Sequence, residues 1–124
     1  MKKLILAVII LAIILSAGLA EQIYLNKIFD ELDSKVENII SIAKSGESAY
    51  AQTEELSKWW GQKHKLPEAL VNHNEINEIT LLVAELQGYS KADMAPDFLA
   101  CAVRLKETAI HIRHLLDYRP EHIF

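Results

Sequence analysis

Apolar side chains recur along this chain at the intervals of a helix. Leu25, Phe29, Leu32, Val36, Ile39 and Ala43 follow one another by four and three residues in turn, and Phe98, Ala102, Leu105, Ala109, Ile112 and Leu116 repeat the same spacing. Each set therefore lies on one face of a helix, as a seam of the coiled-coil kind. Between them, Ala49, Leu56, Trp59 and Trp60 mark a second helix, and Ile76, Ile79, Val83 and Leu86 a third. No run after Glu21 alternates with period two for long enough to make a strand, so the pattern predicts an all-α chain.

Punctuation sets the expected limits. The first helix should run to about Lys44 and close at Ser45-Gly46, where a glycine suits a left-handed cap. Ser48 suits the start of the second, which runs to about Lys63. Pro67 opens the third, because proline is tolerated in a first turn, and Gly88 stops it. The fourth begins between Asp93 and Pro96 and ends at Pro120. Helices of about 16 to 24 residues are marginal alone, so their stripes must bury one another. Short connections favour antiparallel neighbours, which predicts an antiparallel three- or four-helix bundle.

The beginning of the chain follows a different rule. Leu4 to Leu15 is twelve apolar residues without a break, and Ser16 and Gly18 alone interrupt the stretch as far as Ala20. Such a segment behind Lys2 and Lys3 reads either as a secretory signal peptide, cut after Ala20, or as a retained anchor. The seam starting at Leu25 continues the helix without a proline or an extended linker, which favours the anchor, with Tyr24 as an interfacial aromatic. The expected division is 1–23 as membrane anchor or signal peptide and 24–124 as an extracytoplasmic helical bundle. Lys2 and Lys3 mark the cytoplasmic side, so the protein is expected to be single-pass in the cell membrane with its C-terminal domain outside. Secretion after cleavage is the alternative. No L-x-x-C lipobox is present.

Composition narrows the function. At 124 residues, with 51% apolar and 24% charged residues, the chain has the make-up of a folded protein. Lys2 and Lys3 carry the only charges of the first twenty residues, leaving 11 basic and 17 acidic side chains, a net of −6. That balance argues against a nucleic-acid partner. Cys101 is the lone cysteine and cannot close an internal bridge; four glycines, at 18, 46, 61 and 88, are too dispersed to build a phosphate cradle. G-x-S-x-G, G-x-x-x-x-G-K and H-E-x-x-H are all missing, so no catalytic residue and no cofactor are expected.

The candidate chemistry lies elsewhere. Glu107, His111 and His114 share a narrow sector of the fourth helix, suited in type to a metal ion. The sector lies nearly opposite the Phe98 to Leu116 stripe, however, and bundle metal sites need inward ligands from several helices. A solvated polar face is the expectation there. Cys101 sits near the stripe and reads as a buried, inert thiol. Asn72 projects onto the stripe of the third helix with His73 beside it, and polar groups on an apolar face must be bonded, so both are expected to be structural. Adjacent Trp59 and Trp60 point about 100° apart. One should enter the core, and the other should cover the bundle end, the bilayer or a partner.

Trp59-Trp60, Lys63-His64-Lys65-Leu66 and Asn72-His73-Asn74-Glu75-Ile76, together with the apolar helix after Met1-Lys2-Lys3, the Leu105 to Leu116 helix and the ending His122-Ile123-Phe124, resemble a family of single-span proteins from Gram-positive, endospore-forming bacteria, a domain of unknown function. The likeness covers nearly the whole chain and is sharpest at Trp59, His73 and the tail ending at Phe124. His122 departs from the asparagine usual in that tail. The resemblance implies an envelope location and carries over no activity.

Together these readings predict a non-catalytic interaction or accessory protein at the outer face of the membrane. Its expected partners are the bilayer, through residues 4–23, and another membrane or envelope protein. A small-molecule or metal-binding sensor using His73 or the Glu107, His111 and His114 face is the alternative.

Overall fold

The computed structural model describes residues 1–71 and 73–123, with side chains as far as 115. It is all helical, with α1 at Lys2–Lys44, α2 at Tyr50–Lys63, α3 at Lys65–Leu70, α4 at His73–Lys91 and α5 at Ala95–Ile123. No strand occurs among the described residues. At 43 residues, α1 is about 65 Å long. Among the described residues it is the one helix long and apolar enough to cross a membrane, and its most apolar stretch has none of its residues buried.

From Leu25 the same helix turns a stripe inward. Leu25, Phe29, Leu32, Val36 and Ile39 join Leu56 and Trp60 of α2, Ile76, Ile79, Val83 and Leu86 of α4, and Phe98, Ala102, Leu105, Ala109 and Ile112 of α5 in a single core. α1 packs on α2 and α5, and α4 also packs on α2 and α5. Chain directions follow from paired side chains. Lys35 meets Glu55 at 3.1 Å while Glu31 meets Trp59 at 3.0 Å, so numbers rise on one helix as they fall on the other. Arg113 of α5 forks onto Asp30 and onto Asp33, the latter at 3.2 Å, and Lys106 pairs with Glu37, which sets the same opposed direction for α1 and α5.

The helix ends explain most of the boundaries. α1 stops because Gly46 takes φ +85°, with its N–H donating to the Ala43 carbonyl and the Ser45 hydroxyl to that of Ile42. Ser48 does help start α2, its hydroxyl accepting from the Tyr50 N–H at 3.3 Å. Thr53, a buried polar side chain, donates to the Ala49 carbonyl at 2.8 Å, which removes the cost of its burial.

Three expectations are corrected. Gly88 does not stop its helix: α4 continues to Lys91, since a mid-helix glycine costs only about 1 kcal/mol against alanine. The stop is instead Asp93, at φ 55°, a residue type that tolerates the left-handed region. The third helix is also divided. Val71 is extended, at φ −115° and ψ 173°, so α3 and α4 are separate and Pro67 belongs to the first turn of the shorter one. Finally, Pro120 does not end α5, which runs three residues further to Ile123; so near the terminus a proline disturbs only the last turn. The side chains of Leu116, His122 and Ile123, and Asn72 and Phe124 altogether, fall outside the described residues.

Candidate functional site

The polar residues of most interest gather where α2, α3 and α4 meet. Pro67 has no N–H to offer the Lys63 carbonyl, and its ring crowds that oxygen, so α2 cannot run straight through it. The helix is interrupted at His64, which keeps helical dihedrals (φ −69°, ψ −20°), while two bonds span the interruption, from His64 N–H to the Trp60 carbonyl and from Glu68 N–H to the His64 carbonyl, both at 2.9 Å. One turn apart across that junction, His64 Nδ1 lies 3.1 Å from Glu68 Oε2. The other oxygen, Oε1, lies 2.7 Å from Nδ1 of His73, the first residue of α4. One carboxylate thus links two imidazoles across the α3–α4 junction. Each link is a hydrogen bond to a neutral ring and an ion pair to a protonated one.

Of the two adjacent tryptophans, Trp60 adjoins this cluster and Trp59 does not. Trp60 is buried and donates from Nε1 to Thr80 Oγ1 at 2.9 Å, and its ring centroid lies 6.2 Å from that of His64. Trp59 is half-buried on α1, donating to Glu31 Oε2, with Lys35 Nζ 5.5 Å from its ring centre in a cation–π arrangement. One tryptophan is therefore core, as expected, and the other covers α1 of its own chain.

His73 corrects its projection. Its side chain is 66% exposed, because the break at Val71 makes it the first residue of α4, and helical side chains lean toward the N-terminus, here past the end of the packed stripe. Glu107, His111 and His114 are all exposed. Among the described residues no group of three His, Cys, Asp or Glu side chains is placed to hold a metal ion. Cys101 is buried and its thiol lies 3.5 Å from the Leu82 carbonyl; burial, with Glu85 nearby, pushes it up to about 11, which keeps it protonated and unreactive at neutral pH.

His64 and Glu68 received no weight in the helical projections. Their signal was the i, i+4 spacing of a histidine and a glutamate, which brings side chains together on any helix. At the far end of the molecule a shallow depression of about 180 Å³ is lined by Gly46, Ala49, Tyr89, Asp93, Met94 and Phe98, with Tyr89 donating to Glu85 at 2.9 Å. That bond, before any other cause, pushes the phenol upward.

The family model described as Domain of unknown function (DUF4363) matches residues 19–122. The chain belongs to this family. The DUF4363 match takes in the whole core, from Leu25 to Ile112, and the Trp59 to His73 elbow, and it leaves out most of the exposed apolar run. The resemblance to a family of unknown function thus holds at the level of the family. No curated protein and no solved structure matches the chain.

Proposed function

We propose that this DUF4363 protein is a membrane-anchored, antiparallel helical bundle that works by binding another membrane or envelope protein at the outer face of the cell membrane, without catalysing a reaction. One observation carries the reading. Within the single helix α1, all residues as far as Tyr24 are exposed except half-buried Gln22, and a buried stripe begins at Leu25. An all-round apolar helix needs an apolar surrounding; Leu4 to Ala20 is about 26 Å long, and Ile23, beyond Glu21 and Gln22, extends it to about 30 Å, the thickness of a bilayer core. Lys2 and Lys3 favour a cytoplasmic start, with the domain on the outer side. The cross-helix pairs Lys35–Glu55, Arg113–Asp30 and Lys106–Glu37 support the antiparallel arrangement.

Intact mass measurement of the protein from the membrane fraction, combined with protease added outside intact spheroplasts, tests the anchor. The expected result is an uncut N-terminus and a digestible domain. A mature start at Glu21 in the soluble exported fraction defeats it. Crosslinking in native membranes followed by purification tests the partner, and a protein recovered only as itself counts against an accessory role. The sensor alternative, with His73 or the Glu107, His111 and His114 face as its site, finds support at His73, which shares Glu68 with His64.

A further inference from the structure

The α2–α3 elbow has a position and a charge that the core does not require. Extending the register set by Trp59–Glu31 and Glu55–Lys35 brings Lys63 level with Lys27, four residues or about 6 Å from the last residue of the exposed apolar run. α3 follows from that level, and its Glu68 meets His73 at the start of α4. Between Glu55 and Glu68 every charged side chain is basic, at Lys58, Lys63 and Lys65, in a domain with a net charge of −6.

Four of the acids nearby are occupied, and the lysines are not. Glu68 is taken by His64 and His73, Glu31 by Trp59, and Asp30 and Asp33 by Arg113. Glu75 turns one carboxylate oxygen into the interior, leaving Glu21 and Glu78 as the exposed, unpaired acids at this end. Among the described residues Lys27, Lys63 and Lys65 have no acidic partner, and next to Lys65 the side chain of Leu66 is 38% exposed. Lysines flanking an exposed leucine beside an apolar span have the chemistry of a lipid headgroup contact.

Resting on the anchored reading above, we propose that the α2–α3 elbow lies on the membrane surface, where Lys63 and Lys65 bind the phosphates of anionic phospholipids and Leu66 enters the headgroup layer. The span and the elbow then form one continuous lipid-binding surface, and the bundle is held against the bilayer at two places.

The test uses the full chain in nanodiscs of phosphatidylcholine alone or mixed with phosphatidylglycerol, with nitroxide labels at Leu66→Cys or, separately, Leu11→Cys. Cys101 is buried and stays unlabelled. The Leu11 label should favour oxygen over a water-soluble nickel relaxant in both lipids. At Leu66 the preference should shift toward oxygen by at least twofold when phosphatidylglycerol is added, and Lys63→Gln with Lys65→Gln should abolish that shift without changing the helical signal. A Leu66 label equally aqueous in both lipids, with Leu11 in hydrocarbon, overturns the elbow contact and leaves the anchor standing. A shift that persists in the double variant, or is equal without anionic lipid, overturns the role of the lysines. An aqueous Leu11 label shows instead that the anchored reading has failed, and the elbow contact falls with it.

Discussion

The two halves of α1 are similarly helical and differently solvated. From Leu4 to Ala20 apolar side chains surround the axis, and nothing in the fold covers them; from Leu25 to Ile40 they are confined to a stripe, and the stripe is buried. The first half has an apolar content that no neighbouring helix explains, while the second has only as much as its neighbours can bury. Distribution around the axis, more than the number of apolar residues, separates a segment that its neighbouring helices leave uncovered from one that they bury.

Truncating the stripe should have the largest effect. Phe29 is fully buried, and Phe29→Ala should destabilise the domain by about 3 to 5 kcal/mol, read as a lowered midpoint in chemical unfolding. Ile13→Arg should leave that midpoint unchanged and weaken insertion by about 2.5 to 3.5 kcal/mol, read as protein lost from the membrane fraction. If Ile13→Arg changes domain stability instead, the two halves are not independent and the contrast drawn here is wrong.

Smaller changes sharpen the boundary. Trp60→Phe removes the donor to Thr80 and leaves a gap where the indole packed, costing about 1 to 3 kcal/mol, measurable by thermal unfolding. Arg113→Ala, which releases α5 from Asp30 and Asp33, should cost about 0.2 to 1 kcal/mol. It also has a signature in pH. Burial above all raises Asp33 from 3.8, with Arg113 opposing the rise. The folded state therefore holds that proton to higher pH than the unfolded state, so the site's contribution is most favourable below 3.8 and is lost as pH rises through its raised folded value. Without Arg113 the carboxyl should titrate higher still, as followed by carbon NMR. His111→Ala with His114→Ala, on the exposed face of α5, should shift stability by no more than about 0.5 kcal/mol.

The core was legible in the spacing because burial and periodicity have the same cause. Leu25, Phe29, Leu32, Val36 and Ile39 had to share a face, and sharing a face they had to be covered. Local signals failed where tertiary packing outweighed them. Gly88 carried a stop signal that the helix overrode, and the break at Val71 had no glycine or proline to announce it, only a β-branched residue and an asparagine of poor helical propensity. That break explains the candidate site as well. Projecting His73 on a continuous helix placed it beside the core, whereas a helix beginning at His73 frees it to reach Glu68. His64 and Glu68 meet through their i, i+4 spacing, which the apolar stripe does not record, and His73 joins them only through a change of helix.

A last consequence follows from the continuity of α1. No proline, and no glycine after Gly18, interrupts the passage from Leu4 to Lys44, so the junction near Tyr24 has neither a swivel nor a hinge. The helix therefore acts as an axle: rotation or tilt of its apolar half turns the four-helix core by the same angle. Inserting one residue at the junction would rotate the core by about 100° around that axle, presenting a different side to whatever stands beside it.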